Sequence, residues 1–167
     1  MLTAARIIAL LQLEPLTIEG GYFRQTYLAA EQTDGAALPA RYRRSKSLGS
    51  AIYYLLHDGN FSALHRLPTD EIYHFYLGDP VDLVLLHPGG THEVVTLGAD
   101  LEAGQRPQAV APCGAWQGSR LAHPGGWALL GTTMAPAYDE KDFELGNRET
   151  LLGQYPARAD DIRALTR

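Results

Sequence analysis

The run Ser62-Ala63-Leu64-His65-Arg66-Leu67-Pro68-Thr69-Asp70-Glu71-Ile72-Tyr73-His74-Phe75-Tyr76-Leu77-Gly78 is the part of the chain densest in side chains able to do chemistry. An imidazole ends one short run, a Pro-containing turn follows, and a carboxylate opens the next. Two strands joined in this way bring His65 and Glu71 face to face. Such a pair can share a metal ion, or act as a base and the group that orients it. It can equally be a hydrogen-bonded structural couple in a barrel core. Side chains alternate across a strand, so Glu71, Tyr73 and Phe75 share one face while Ile72, His74 and Tyr76 share the other. With Glu71 pointing inward, His74 points away and belongs to an interface or a second layer. Tyr22, Arg24 and Thr26 likewise share a face. Arg24 is a candidate for an anionic ligand group, because a guanidinium offers a carboxylate or phosphate two donors. Its alternative is an ion pair with Glu19 or Glu144 at a subunit interface.

These residues need short, regularly spaced strands to position them, and the chain supplies the pattern. Runs rich in Tyr, Val, Leu and Thr predict strands over 22–28, 50–56, 61–66, 71–77, 82–87 and 93–97. Further strands are expected over 108–111, 115–120, 127–134 and 141–145. Gly-Gly pairs at Gly20-Gly21, Gly89-Gly90 and Gly125-Gly126 punctuate them, and His87-Pro88-Gly89-Gly90-Thr91 reads as a hairpin loop. Thr3 can cap a short helix carrying Ile7, Ile8, Leu10 and Leu11, which Pro15 would stop. Leu151–Tyr155 predicts a short C-terminal helix, and the polar stretch 31–47 a long loop. Many short strands with turns between them indicate a β-sandwich or barrel in one domain, residues 1–167.

The bulk properties narrow the partners. In 167 residues, 46% hydrophobic and 20% charged, there is enough apolar surface for a core without staples. The formal net charge of −5 argues against nucleic acid, which needs a concentrated basic face. The single cysteine, Cys113, forms no internal disulfide or thiolate zinc cluster, and nothing near it marks an activated thiolate. No stretch approaches the roughly 20 apolar residues of a membrane span, and the first residues make a poor signal peptide, so no membrane partner and a cytoplasmic location are expected. Arg41, Arg43, Arg44 and Lys46 form a basic cluster beside Tyr42, read either as a gate to a phosphate-binding pocket or as a solvated loop. His57, His87, His92 and His123 share no spacing and are read as surface residues.

His65, five residues, Glu71, six residues, Gly78 resembles the first cupin motif, His-x-His, three or four residues, Glu, six residues, Gly. Pro112-Cys113-Gly114-Ala115-Trp116-Gln117 resembles the second, Pro-x-Gly-x-x-His. Glu19-Gly20-Gly21-Tyr22-Phe23-Arg24-Gln25-Thr26-Tyr27, Ile52-Tyr53-Tyr54-Leu55-Leu56 and Asp142-Phe143-Glu144-Leu145 resemble the fifth cupin family in particular, most of whose members are uncharacterised. The resemblance runs from about Glu19 to Pro156. It implies an all-β double-stranded β-helix, a jelly-roll barrel with short N- and C-terminal helices, paired as a homodimer, with a pocket lined by inward side chains. Metal-binding cupins present three His and one Glu. Here Leu67 replaces the second His and Gln117 the last, leaving His65 and Glu71, with Gln117 as a weak third ligand should a divalent metal bind. No metal or other cofactor is therefore expected. Gln117 and Ser119 share a face, with Trp116 opposite.

Three functions fit this pattern. One is a metal-independent barrel that binds a small polar molecule (a nucleotide, base or sugar derivative) through Arg24, Tyr53, His65, Glu71, Phe75, Gln117 and Ser119. Another is a sugar epimerase or isomerase, with His65 as base, Glu71 orienting it, and Tyr53, Tyr73 or Tyr138 as the proton donor. The third is a metal-dependent oxygenase, isomerase or decarboxylase built on His65, Glu71 and Gln117.

Overall fold

The computed structural model describes residues 2–42 and 44–167, so Arg43 of the basic cluster lies outside the described residues. The chain opens with α1 (Ala4–Leu11), β1 (Glu14–Pro15), β2 (Tyr22–Leu28), β3 (Gln32–Thr33) and β4 (Lys46–Ser47). The body of the fold follows as β5 (Ser50–His57), β6 (Ser62–Arg66), β7 (Glu71–Gly78), β8 (Val81–Leu86) and β9 (His92–Leu97). It continues through β10 (Gln108–Ala111), β11 (Trp116–Leu121), β12 (Trp127–Met134) and β13 (Glu144–Leu145) to the helices α2 (Arg148–Gln154) and α3 (Ala159–Ala164).

Two antiparallel sheets form the barrel, one ordered β1-β2-β5-β12-β7-β10 and the other β13-β6-β11-β8-β9. Their inner faces meet in a core of Tyr54, Leu56, Tyr73 and Leu130 from the first sheet against Val81, Leu83, Leu85 and Leu97 from the second. This is the jelly-roll arrangement that the strand pattern and motifs predict. Strand β8 shows how it is held. Leu83 and Leu85 face the inter-sheet core, while Val84 and Leu86 pack with Trp116 against Leu151, Tyr155, Ile162 and Leu165 of the C-terminal helices. A strand covered on both faces reads as a continuous apolar run, and each fully buried Leu contributes about 1.5–3 kcal/mol.

Helix α1 closes the outside of the first sheet. The Thr3 hydroxyl accepts the Arg6 N–H, and Ile7 is buried with Leu13, Leu55 and Leu129. The helix ends at Gln12, whose left-handed backbone (φ 53°) stops it before Pro15 is reached. Gly78 ends β7 at φ +101°, and a Cβ there would lie 2.2 Å from the Trp127 carbonyl, so both backbone and space require glycine.

The structure departs from expectation in three places. The strand expected over 141–145 keeps only Glu144–Leu145. Residues 140–142 instead form a 3-10 turn, because the Asp139 carboxylate accepts the Lys141 N–H and caps it. The stretch 31–47 is not wholly loop, since β3 and β4 pair with each other. A second C-terminal helix, α3, follows α2 and buries Ile162 completely. Among the described residues no helix is long and apolar enough to cross a membrane.

Candidate functional site

His65 lies on β6 directly opposite Gln117 of β11 and is 1% exposed. Its Nδ1 is 2.8 Å from the Ala63 carbonyl oxygen, which can only accept, so Nδ1 carries a proton and, in the neutral imidazole, Nε2 holds the lone pair. The ring stacks on Phe143, with centroids 4.9 Å apart, and Nε2 lies 3.9 Å from a Glu19 carboxylate oxygen. Tautomer and orientation are therefore set by the backbone on one side and an aromatic ring on the other.

Glu71, the first residue of β7, is buried and accepts a 2.8 Å hydrogen bond from the Gln117 amide. Burial pushes its carboxyl above the ordinary range, and the neighbouring Glu19 adds to this. The His65 imidazole and the Thr132 and Gln117 side chains act in the opposite sense but do not cancel it. Glu19 itself is held from several sides. Its carboxylate accepts the Ser62 hydroxyl, and its carbonyl accepts the Ala63 N–H at 3.0 Å and an Arg167 guanidinium N–H at 3.1 Å.

Glu19, His65, Glu71, Thr132 and Tyr138 bring their polar groups to a cavity of about 70 Å³ whose apolar walls include Phe23, Ile52, Leu67 and Met134. Among the described residues no Lys or Arg lines it. Tyr138 lines the cavity and is 38% exposed, with its phenol raised by burial and by the nearby carboxylates, Glu19 foremost.

The residues singled out in the sequence divide three ways. His65 and Glu71 line this pocket, and Gln117 joins it by bonding Glu71. Tyr73, Phe75 and Ser119 face the barrel interior but not the pocket. Tyr73 belongs to the inter-sheet core, its phenol raised well above the ordinary value by burial and then by Glu71. Phe75 packs against that core, and Ser119 is wholly buried. Arg24 and Tyr53 are elsewhere. Phe23 and Gln25 line the pocket, so the strand turns Arg24 outward, where its Nη1 donates to the Leu11 carbonyl at 3.1 Å and to Gln12 at 3.0 Å. It caps the end of α1 and pairs with neither Glu19 nor Glu144. Ile52 lines the pocket and Tyr54 the core, which leaves Tyr53 on the outer face, edge-on to Tyr76. His74 points away from the pocket as parity predicts, bonding Thr133 and lying parallel to Tyr76.

Glu19 is the site residue that the motif reading misses. The signal was its place before Gly20-Gly21. Gly20 has φ +120°, and a Cβ there would meet the Phe61 carbonyl at 2.1 Å, so only glycine lets this segment lie against β6 and deliver the carboxylate.

The third ligand offered by the sequence, Gln117, is engaged with the second. Gln117 turns its N–H to Glu71, and its oxygen is buried without a hydrogen-bond partner among the described residues. Among those residues no three His, Cys, Asp or Glu side chains gather closely enough to hold a metal ion.

An antiparallel two-sheet barrel with a His and a Glu of its first motif facing an interior pocket is the architecture of a cupin. The chain belongs to the family Cupin_5 of the cupin superfamily (DUF985), whose model matches residues 5–146. It is similar to the crystal structure of a Shewanella oneidensis protein, 35% identical, over 100% of this chain and 99% of that one, with a TM-score of 0.87. It is also similar to a hypothetical protein from Leishmania major, 28% identical over 99% of both chains, with a TM-score of 0.89. A cupin 2 domain-containing protein from Halorhodospira halophila, 11% identical over 89% of this chain and 83% of that one, shares the fold at a TM-score of 0.56. No curated protein matches the chain.

Proposed function

We propose that the barrel binds a small polar organic molecule without net negative charge, a sugar or base derivative, in the pocket of His65, Glu71 and Glu19, and does so without a tightly held metal. The observation that carries this reading is the buried polar cluster itself. His65 is fixed through Nδ1, a Glu19 carboxylate lies 3.9 Å from its Nε2, Glu71 lines the same pocket, and Gln117 Oε1, on the amide that bonds Glu71, is buried without a partner among the described residues. Buried polar groups cost stability unless they are paired, so a cluster of this size inside a barrel points to a ligand that pairs with it. With two carboxylates and, among the described residues, no Lys or Arg on its walls, the pocket favours hydroxyl and amine donors over acids. Apolar walls and a few convergent polar groups are the usual makings of a small-molecule site.

The test is native mass spectrometry of purified, untagged protein, followed by calorimetry with monosaccharides and nucleobases. A retained mass or saturable binding in wild type, weakened about tenfold or more in His65→Ala, is expected from the loss of one hydrogen bond to a polar ligand. No retained mass and no saturable binding would overturn the reading.

The same geometry favours one enzymatic alternative, an epimerase or isomerase. His65 Nε2 is placed as a base for a proton beside a carbonyl, and Tyr138, kept protonated, is the phenol among the three candidates that lines the pocket. Solvent deuterium entering the ligand with wild type but not with His65→Ala would select this reading. We also infer that two copies of the chain pair, supported by Tyr76, Leu77 and Val110, which stand exposed on the adjacent strands β7 and β10.

A further inference from the structure

Leu67 walls not only the pocket of His65 but also a second, larger cavity of about 430 Å³. Among the described residues, the charged side chains lining this outer cavity are Arg41, Arg44, Arg66 and Lys141 against Asp142 and Glu144. Four cations against two carboxylates leave a surplus of two positive charges, on a chain whose formal net charge is −5. The concentration of positive charge is therefore local, opposite in sign to the molecule as a whole.

The cations differ in how they are held. Arg66 is anchored by two bonds to Glu144, at 2.7 and 2.9 Å, and lies over the Trp116 ring. Arg44 reaches Asp139 at 3.1 Å and Asp142 at 3.9 Å. These ion pairs fix two guanidinium groups in place. Arg41 donates its Nε to the Pro68 carbonyl at 2.9 Å and rests over Tyr42, and among the described residues its terminal nitrogens bond no carboxylate. Among the described residues neither Arg41 nor Lys141 has a carboxylate within 4.0 Å. The Asp70 carboxylate nearby is committed to the Cys113 N–H at 2.7 Å.

We propose that this outer cavity is a binding site for a phosphoryl group, taken by Arg41 and Lys141 with Arg44 and Arg66 as fixed flanking charges. A phosphate monoester is close to dianionic at neutral pH and matches the surplus. Guanidinium forks and an ammonium are the side chains that phosphate oxygens pair with. The site lies outside the His65 pocket and does not rest on what that pocket binds.

The experiment is a titration of the full chain with inorganic phosphate at low ionic strength, followed by phosphorus NMR linewidth and by calorimetry, with acetate as the monoanionic control. Wild type is expected to saturate with phosphate, bind acetate at least tenfold more weakly, and lose affinity as sodium chloride is raised. The double variant R41A/K141A, which breaks no ion pair among the described residues, should keep its far-ultraviolet circular dichroism and bind phosphate at least tenfold more weakly. Lys141→Glu alone should act in the same direction. His65→Ala should bind phosphate as wild type does, which separates this site from the pocket. Absence of saturation in wild type, equal affinity in folded R41A/K141A, equal affinity for acetate, or loss of phosphate binding in His65→Ala would each overturn the assignment.

Discussion

Substituting Lys46 by methionine should cost about 3 kcal/mol of stability, because its ammonium is buried between two carboxylates. Lys46 is 4% exposed, and its Nζ lies 3.1 Å from Asp139 and in hydrogen-bond contact with Asp142. Hydrogen bonds to charged groups contribute about 1.5–3 kcal/mol each, so the two together set an upper figure near 6. Two features lower it. Arg44 keeps contact with both carboxylates, and the methionine stem preserves the apolar part of the burial. For a chain of this length about 3 kcal/mol lowers Tm by roughly 6–12 °C. Urea unfolding followed by circular dichroism measures the free energy, and repeating it in high salt checks the location, since a buried pair is screened far less than an exposed one. A loss below about 1 kcal/mol, the range of a solvent-exposed ion pair, would refute the reasoning. The consequence is also functional. The network clamps the segment 44–46 onto the turn 140–142, and that turn lies between Tyr138, which lines the pocket, and Phe143, on which His65 stacks. Lys46→Met should therefore weaken ligand binding in the His65 pocket without touching it.

Glu71→Gln tests the raised carboxyl. Below the unfolded-state value near 4.5 both states hold the proton; as pH rises the unfolded chain releases it first, so wild type loses stability through the window up to the raised native value. The glutamine variant should gain stability relative to wild type as pH rises above about 4.5, and a difference in unfolding free energy that stays flat with pH would contradict it. Leu151, fully buried where α2 meets the second sheet, should cost about 2–5 kcal/mol when cut to alanine, measured by urea unfolding, and a loss under about 1 kcal/mol would place it outside the core. Light scattering behind gel filtration should return twice the 18.3 kDa chain mass, and Tyr76→Glu should shift it toward one copy; a single-copy mass for wild type would end the pairing inference.

Much of the scaffold was legible because its signals are local. The strands over 22–28, 108–111 and 127–134 have the predicted bounds, and the others shift by a residue or two, with 141–145 as the exception. Alternation and turn residues act over a few positions, and the chain writes them in order. The same holds for the Thr3 cap, for Gly78 with its positive φ, and for the turn through Pro68 that joins His65 to Glu71. Parity on β7 correctly sent His74 outward once Glu71 was taken as inward.

What tertiary structure alone decided is which face of a two-sided strand turns inward, and which distant segments close the site. In β2 both faces carry aromatic and polar groups, so periodicity offered Arg24 and Phe23 equally. Helix α1 settled the choice by covering one side. The adjacent Tyr53 and Tyr54 posed the same ambiguity. Glu19 reaches Ser62 across 43 positions, and Lys46 reaches Asp139 and Asp142 across 93 and 96. No local pattern encodes such pairings. They exist because closing the barrel brings a Gly-Gly bend, a loop and a 3-10 turn to the same end of two sheets, where desolvation makes each unpaired charge costly and every pairing worth keeping.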